Sequence, residues 1–281
     1  MMKQDKTTTF YGWDTCPDSL KKTVDDITGV FHRILGADLT GLYLHGSLAM
    51  DCFNPETSDI DFLVVAERKL TVEQKQEIIN YLTAIDTGKA SPEMSIVTAE
   101  SLKNLVYPCP FELHYSRSFR AAYTAGNFNW EEQRFDTDLA AHYFAVRERG
   151  ICLYGKPAKE VIPEIPPEMF IASLVQDLHW LRQEIRRLPF RHIILNPCRA
   201  MAYASEGKFM SKQEGGTWAL THLPPKYTSL IERALNAYSG ADTSFPPPQD
   251  TLTEFIDYAI KEFIYLAAKT DAENLFFKRS Y

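Results

Sequence analysis

The chain has 281 residues, enough for about two domains. With 45% hydrophobic and 24% charged residues it has the make-up of a folded globular protein, which excludes a disordered chain. Thirty basic side chains against 37 acidic ones give a net charge of -7, which argues against binding nucleic acid through overall positive charge.

No stretch approaches the roughly 18 uninterrupted apolar residues that a membrane span needs. The opening MMKQDKTTTFYGWD lacks the apolar core of a signal peptide, so a cytoplasmic protein is expected. Cys16, Cys52, Cys109, Cys152 and Cys198 are odd in number and scattered, with no C-x-x-C pair and no zinc-ligand spacing. They read as reduced packing thiols.

In chain order, Pro17 to Leu35 carries apolar residues at helical spacing, with Asp18 as its cap. Leu39 to Ser47 reads as a strand entering a turn, and Asp59 to Glu67 as a second strand with an apolar centre. Thr71 to Asp86 is an amphipathic helix. Glu93 to Thr98 is a third strand and Phe111 to Ser116 a fourth. Asp138 to Gly150 is helical and stops at glycine. The proline-rich Gly155 to Glu168 suits an interdomain connection. Beyond it, Glu168 to Leu188, Ile193 to Ser205, Tyr227 to Tyr238 and Thr251 to Ala268 show 3.6-residue periodicity. The fold class is therefore α+β: an N-terminal domain, residues 1–157, with a small mixed sheet flanked by helices, then an all-α helical bundle over 158–281. Charge divides unevenly. The fifteen basic and twenty-two acidic side chains before Lys156 hold the whole net charge, and the remainder is balanced.

The chemistry concentrates in LHGSLAMDCFNPETSDIDFLVV, Leu44 to Val65. Gly46 and Ser47 follow one strand and open a short helix, which offers backbone N–H groups and a hydroxyl to a phosphate oxygen. Asp59 and Asp61 alternate on the next strand and so share a face, while Ile60 and Phe62 point into packing. Two carboxylates side by side call for a cation between them, and hard oxygen ligands favour magnesium or manganese. A phosphate grip opposite a metal grip suits phosphoryl chemistry on a triphosphate. Glu93, opening the next short strand, is a reasonable third carboxylate. Read singly, a Gly-Ser pair is a turn and an Asp-x-Asp a solvated strand end; the combination at this spacing carries the signal.

These residues resemble the nucleotidyltransferase superfamily signature shared with DNA polymerase β. The chain is more closely similar to the aminoglycoside adenylyltransferases that modify streptomycin and spectinomycin. PEMSIV, DTDLA, LYGKPA and, in the helical part, Arg191 to Lys208 echo that family more weakly. The resemblance implies Gly46 and Ser47 at the phosphates and Asp59, Asp61 and Glu93 around magnesium, with two ions expected. It makes Glu93 the general base and AMP the group passed from ATP to an acceptor hydroxyl. It implies that helical-domain side chains Arg199, Lys212 and Tyr238 close over the nucleotide.

The acceptor implied is a small hydroxylated, cationic aminoglycoside or aminocyclitol, with no membrane partner and no nucleic acid expected. Asp177, Trp180 and Glu184 have the spacing to form an aromatic and acidic wall for it, or to be an ordinary amphipathic helix with Trp180 in the core. Leu188–Pro189–Phe190 stands where the family has acidic residues, and Arg182, Arg186, Arg187 and Arg191 cluster nearby, which would repel a cationic drug. His45 and His114 either touch the nucleotide or pack. A protein or RNA acceptor, or a nucleotide-binding module without catalysis, stays open.

Overall fold

Val24, Ile27, Phe31 and Leu35 recur at helical spacing and are buried, so they fix the inward face of α1 (Asp18–Leu35) in the computed structural model, which describes residues 10–240 and 245–278. Pro17, with its fixed φ, takes the cap position expected of Asp18, which instead stands in the first turn near the positive helix end. The chain divides into two compact units, one of residues 10–170 and one of the described residues from 171 onward.

The first unit is built on a five-stranded sheet. Its strands are β1 (Leu39–His45), β2 (Ile60–Ala66) and β3 (Pro92–Thr98), with β5 (Leu113–Tyr115) and β7 (Ile151–Gly155) at the edges, in the order β5-β3-β2-β1-β7. Only β2 and β3 run parallel; the other neighbours are antiparallel. The parallel pair needs a crossover, which α3 (Val72–Ile85) supplies. A capping box of Thr71 and Gln74 starts that helix.

Alternate strand residues Leu42, Leu44, Phe62, Val64, Met94 and Ile96 form one buried core with α1 and with Ile78, Ile79 and Leu82 of α3. Tyr43, His45, Asp61, Glu93 and Ser95 face the other way, where α6 (Leu139–Arg149) runs against β1 and β2. Three short elements complete the sequence up to there: α2 (Gly46–Ala49), α4 (Ala99–Lys103) and α5 (Arg120–Thr124). The segment read as one strand over Phe111 to Ser116 is two strands. Cys109–Phe111 is β4 and pairs with β6 (Arg134–Asp136) in a separate ribbon, and β5 joins the main sheet.

The proline-rich segment after β7 holds α7 (Ala158–Val161). Ile162 and Ile165 are buried, and Arg147 Nη1 donates to the carbonyls of Lys159 and Ile162 at 3.1 and 2.8 Å. The segment is thus tied to the first unit, and the division falls later, within α8 (Pro167–Gln183).

The second unit is helical: α9 (Phe190–Glu206), α10 (Lys212–His222), α11 (Thr228–Tyr238) and α12 (Gln249–Lys278) follow. Gly207 at φ 69° ends α9. Periodicity gives no sign of helix α10, because Gly215 and Gly216 break its apolar pattern. Its start is nonetheless a capping box of Ser211 and Glu214. A Cβ on Gly216 would meet Leu195 and Leu235 at 2.7 Å, and one on Gly215 would meet the Arg199 backbone at 2.5 Å. The two glycines let three helices approach. No described helix is long and apolar enough to cross a membrane.

Candidate active site

The site begins where β1 ends. Gly46 has φ +63°, a conformation that L side chains resist, and a Cβ there would collide with Asp61 Oδ2. The chain turns into α2 at Ser47, whose carbonyl accepts from Cys52 N–H at 3.0 Å. The loop back is closed by Asn54, which is buried. Its N–H donates to Ser58 Oγ at 3.0 Å, and its carbonyl accepts from Thr57 and Ser58. Phe53 pairs with Tyr11 in an isolated bridge. These contacts deliver Asp59, exposed, one residue ahead of β2.

Strand register then aligns the carboxylates. Asp61 pairs with His45 across the antiparallel ladder and with Glu93 across the parallel one, so the three side chains form one row on one face. Neighbouring strands are about 4.8 Å apart, so two partly buried carboxylates lie side by side. Gly46, Asp61 and Glu93 are thereby brought together by backbone alone.

The rest of that face is lined by histidines. His45 is buried with its ring centroid 5.1 Å from that of His142, and burial together with the His142 charge holds its pKa well below the ordinary value. His114 Nδ1 lies 3.0 Å from Ser95 Oγ, and burial, then His142, pull its pKa down to about 4. His142 goes the other way. Burial disfavours its charge, but Asp138, whose Oδ2 lies 3.1 Å from Nε2, together with Asp136 and Glu93, raises its pKa to about 9. His45 and His114 are thus held below, and His142 above, the ordinary histidine range. Sequence reasoning misses His142 and Asp138 as site residues; their i,i+4 spacing on a helix is the legible signal.

In the helical unit, Arg191 and Arg199 lie on α9 and Lys212 opens α10. The charges of Lys212, Arg191 and Arg199, with burial second to Lys212, hold His192 well below its ordinary pKa. Gly215 lets α10 pass against the Arg199 backbone, and Lys212 stands one helical turn ahead of it. Arg199 and Lys212 therefore belong to one cationic patch. Tyr238 is buried in the same unit, at 5% exposure.

Trp180 is 49% exposed, so it is not the core residue of an ordinary amphipathic helix. Asp177, one turn earlier, accepts from Asn196 Nδ2 at 3.2 Å. Glu184 lies just past the end of α8 and pairs with Arg187 at 3.1 Å. Arg182 is held by Asp257, Nε to Oδ1 2.7 Å. Two of the four clustered arginines are thus neutralised by their own acids.

Among the described residues, no three His, Cys, Asp or Glu side chains already form a group able to hold a metal ion. Asp61 and Glu93 fit a magnesium site of another kind, since that ion is commonly held by one or two carboxylates together with substrate phosphates and water. The donors are all oxygen, and the ion would relieve the repulsion between them.

A family model of the nucleotidyltransferase domain matches residues 30–115, and one of the aminoglycoside adenylyltransferase C-terminal domain matches residues 160–262. Spectinomycin 9-adenylyltransferase of Campylobacter jejuni is 24% identical over 222 residues, 77% of this chain and 84% of the relative. The enzyme of that name from Staphylococcus aureus is 25% identical over 213 residues, 74% and 80% of the two chains. A crystal structure of spectinomycin adenyltransferase from Enterococcus faecalis, solved with ATP and spectinomycin, has the same fold. Its TM-score is 0.78 at 20% identity, over 86% of this chain and 98% of that one. The chain thus carries a nucleotidyltransferase domain followed by an aminoglycoside adenylyltransferase C-terminal domain.

Proposed function

We propose that the chain transfers AMP from ATP to a hydroxyl of an aminocyclitol of the spectinomycin type, with release of pyrophosphate. The observation that carries this reading is the register pairing of Asp61 with Glu93 beside Gly46, within a nucleotidyltransferase domain. Glu93 is the general base: it takes the proton of the acceptor hydroxyl as that oxygen attacks the α-phosphorus. Asp59, Asp61 and Glu93 would hold magnesium, which would supply positive charge to neutralise the phosphates; two such ions would suit an in-line displacement. Ser47 and the backbone at Gly46 grip phosphate oxygens.

The cationic patch of Arg199 and Lys212 suits a triphosphate, Arg through its planar fork and Lys as a point charge. Tyr238 borders the nucleotide in this reading. Trp180, exposed, offers a cationic ring an aromatic face, and Asp177 and Glu184 add negative charge. The pairing of Arg182 with Asp257 and of Arg187 with Glu184 supports a cationic acceptor, because it lowers the repulsion that the arginine cluster would exert. The net negative N-terminal half has the same sense. A cytoplasmic site of action, where ATP is available, completes the proposal.

The test is incubation with α-labelled ATP and magnesium against spectinomycin, streptomycin, total RNA and protein acceptors. Label on a drug with stoichiometric pyrophosphate is the expected result. Label on RNA or protein alone, or nucleotide binding without pyrophosphate release on any acceptor, would overturn it.

A further inference from the structure

The connection from α3 to β3 is built around a carboxylate that the proposed mechanism does not use. Asp86 closes α3, and its side chain is 1% exposed. Its Oδ1 accepts from Ser91 Oγ at 2.5 Å and from Gly88 N–H at 3.1 Å, and its Oδ2 accepts from Tyr115 O–H at 3.0 Å. Arg117 Nε stands 3.9 Å away and its guanidinium also donates to Ser91 Oγ, while Arg120 Nη1 donates to the Asp86 carbonyl at 3.1 Å. Burial pushes the Asp86 carboxyl up, but the bonds from Ser91, Gly88 and Tyr115 and the Arg117 charge outweigh it and hold its pKa below the ordinary value.

This effort holds a short loop in a demanding shape. Gly88 has φ +92°, and Ala90 has φ +47°, a left-handed conformation unusual for a residue with a side chain. The loop ends at Ser91, which is buried, and whose carbonyl accepts from Ile60 N–H at 2.8 Å. Ile60 sits between Asp59 and Asp61, and Ser91 lies two residues ahead of Glu93. One residue therefore joins the starts of both carboxylate-bearing strands, and Asp86 fixes that residue.

We propose that Asp86 is a positioning residue for AMP transfer. Through Ser91 it sets the register of Glu93 against Asp59 and Asp61, and so the spacing of the oxygens that meet the cation. The proposal rests on the reading of Asp59, Asp61 and Glu93 given above. Asp86→Asn keeps the volume and removes the charge. The loop then relaxes, and the strand starts slip relative to each other.

The experiment compares wild type, Asp86→Asn and Ser91→Ala. Three quantities are measured: kcat and KM for AMP transfer, the magnesium concentration giving half-maximal rate, and Mn2+ affinity by electron paramagnetic resonance with a non-hydrolysable ATP analogue. Supporting outcomes supply about a 10- to 100-fold loss of kcat in Asp86→Asn, the scale on which groups behind metal ligands act, with KM for ATP within about threefold. The cation midpoint and the Mn2+ affinity shift by a similar factor, and Ser91→Ala moves them in the same direction. A loss of rate with both cation readouts unmoved would make Asp86 a general stabiliser of the fold and overturn the proposal, as would wild-type kinetics in the variant. Should Asp86→Asn fail to fold, Ser91→Ala decides on the same readouts. If the wild type modifies no acceptor, the adenylyltransferase reading fails, and the Mn2+ comparison still judges the role of Asp86.

Discussion

Gly46 and Asp61 occupy the same few ångströms: a Cβ added to Gly46 would collide with Asp61 Oδ2, and the glycine's φ of +63° is itself one that side chains resist. Gly46→Ala therefore meets two penalties. The left-handed backbone alone costs about 1 kcal/mol, and the clash is relieved only by moving the Asp61 carboxylate or the strand end that carries Gly46. The expected outcome is a melting temperature lowered by a few degrees and a loss of AMP transfer of at least about 100-fold, since ångström-scale misplacement of reacting groups has effects of that order. Calorimetry and initial rates on the same preparation check it.

Arg199→Ala and Lys212→Ala should act on nucleotide binding. Each removes one cation from the patch around His192, and each should raise the Kd for ATP by about tenfold, the equivalent of about 1.4 kcal/mol. A second readout is independent of binding. His192 is held below its ordinary pKa by Lys212 first, then by burial and the two arginines, so its imidazole pKa rises in either variant. Titration of the His192 ring resonance by nuclear magnetic resonance measures that rise.

The His142–Asp138 pair gives stability a pH dependence of defined sign. The folded pKa of His142, about 9, lies above its unfolded value, so the stabilisation it contributes is complete below about pH 6.5. It is lost as the pH climbs through 9, at no more than about 1.4 kcal/mol per pH unit. Urea unfolding of His142→Gln should accordingly fall less steeply than wild type between pH 7 and 9.5. His114 has the opposite sign: depressed to about 4, it lowers stability as the pH falls from 6.5 towards 4.

Much of this architecture is legible in the chain itself. The alternation of Asp59, Ile60, Asp61 and Phe62 predicts which side chains share a face, and in the register Phe62 packs while Asp61 meets Glu93. What escapes is decided by neighbours distant in sequence. The strand β7 is an edge strand with a mixed burial pattern, so it carries no alternation to read. Helix α10 hides behind Gly215 and Gly216, whose value lies in what they let approach, Arg199, Leu195 and Leu235. The split of β4 from β5 is set by pairing with β6, some twenty residues on. Asp86 reads as the polar end of a helix; its burial depends on Ser91, Tyr115 and Arg117.

The central claim, that Glu93 works as the base within the group of carboxylates that would meet the cation, is tested most directly by Glu93→Gln next to Asp61→Asn. The measurement is transfer of label from α-labelled ATP to spectinomycin, with ATP affinity determined for each protein by calorimetry in magnesium. Glu93→Gln is predicted to bind ATP within about threefold of wild type and to transfer AMP at least about 1,000-fold more slowly, whereas Asp61→Asn loses both transfer and magnesium-dependent binding. Near-wild-type transfer by Glu93→Gln would contradict the account.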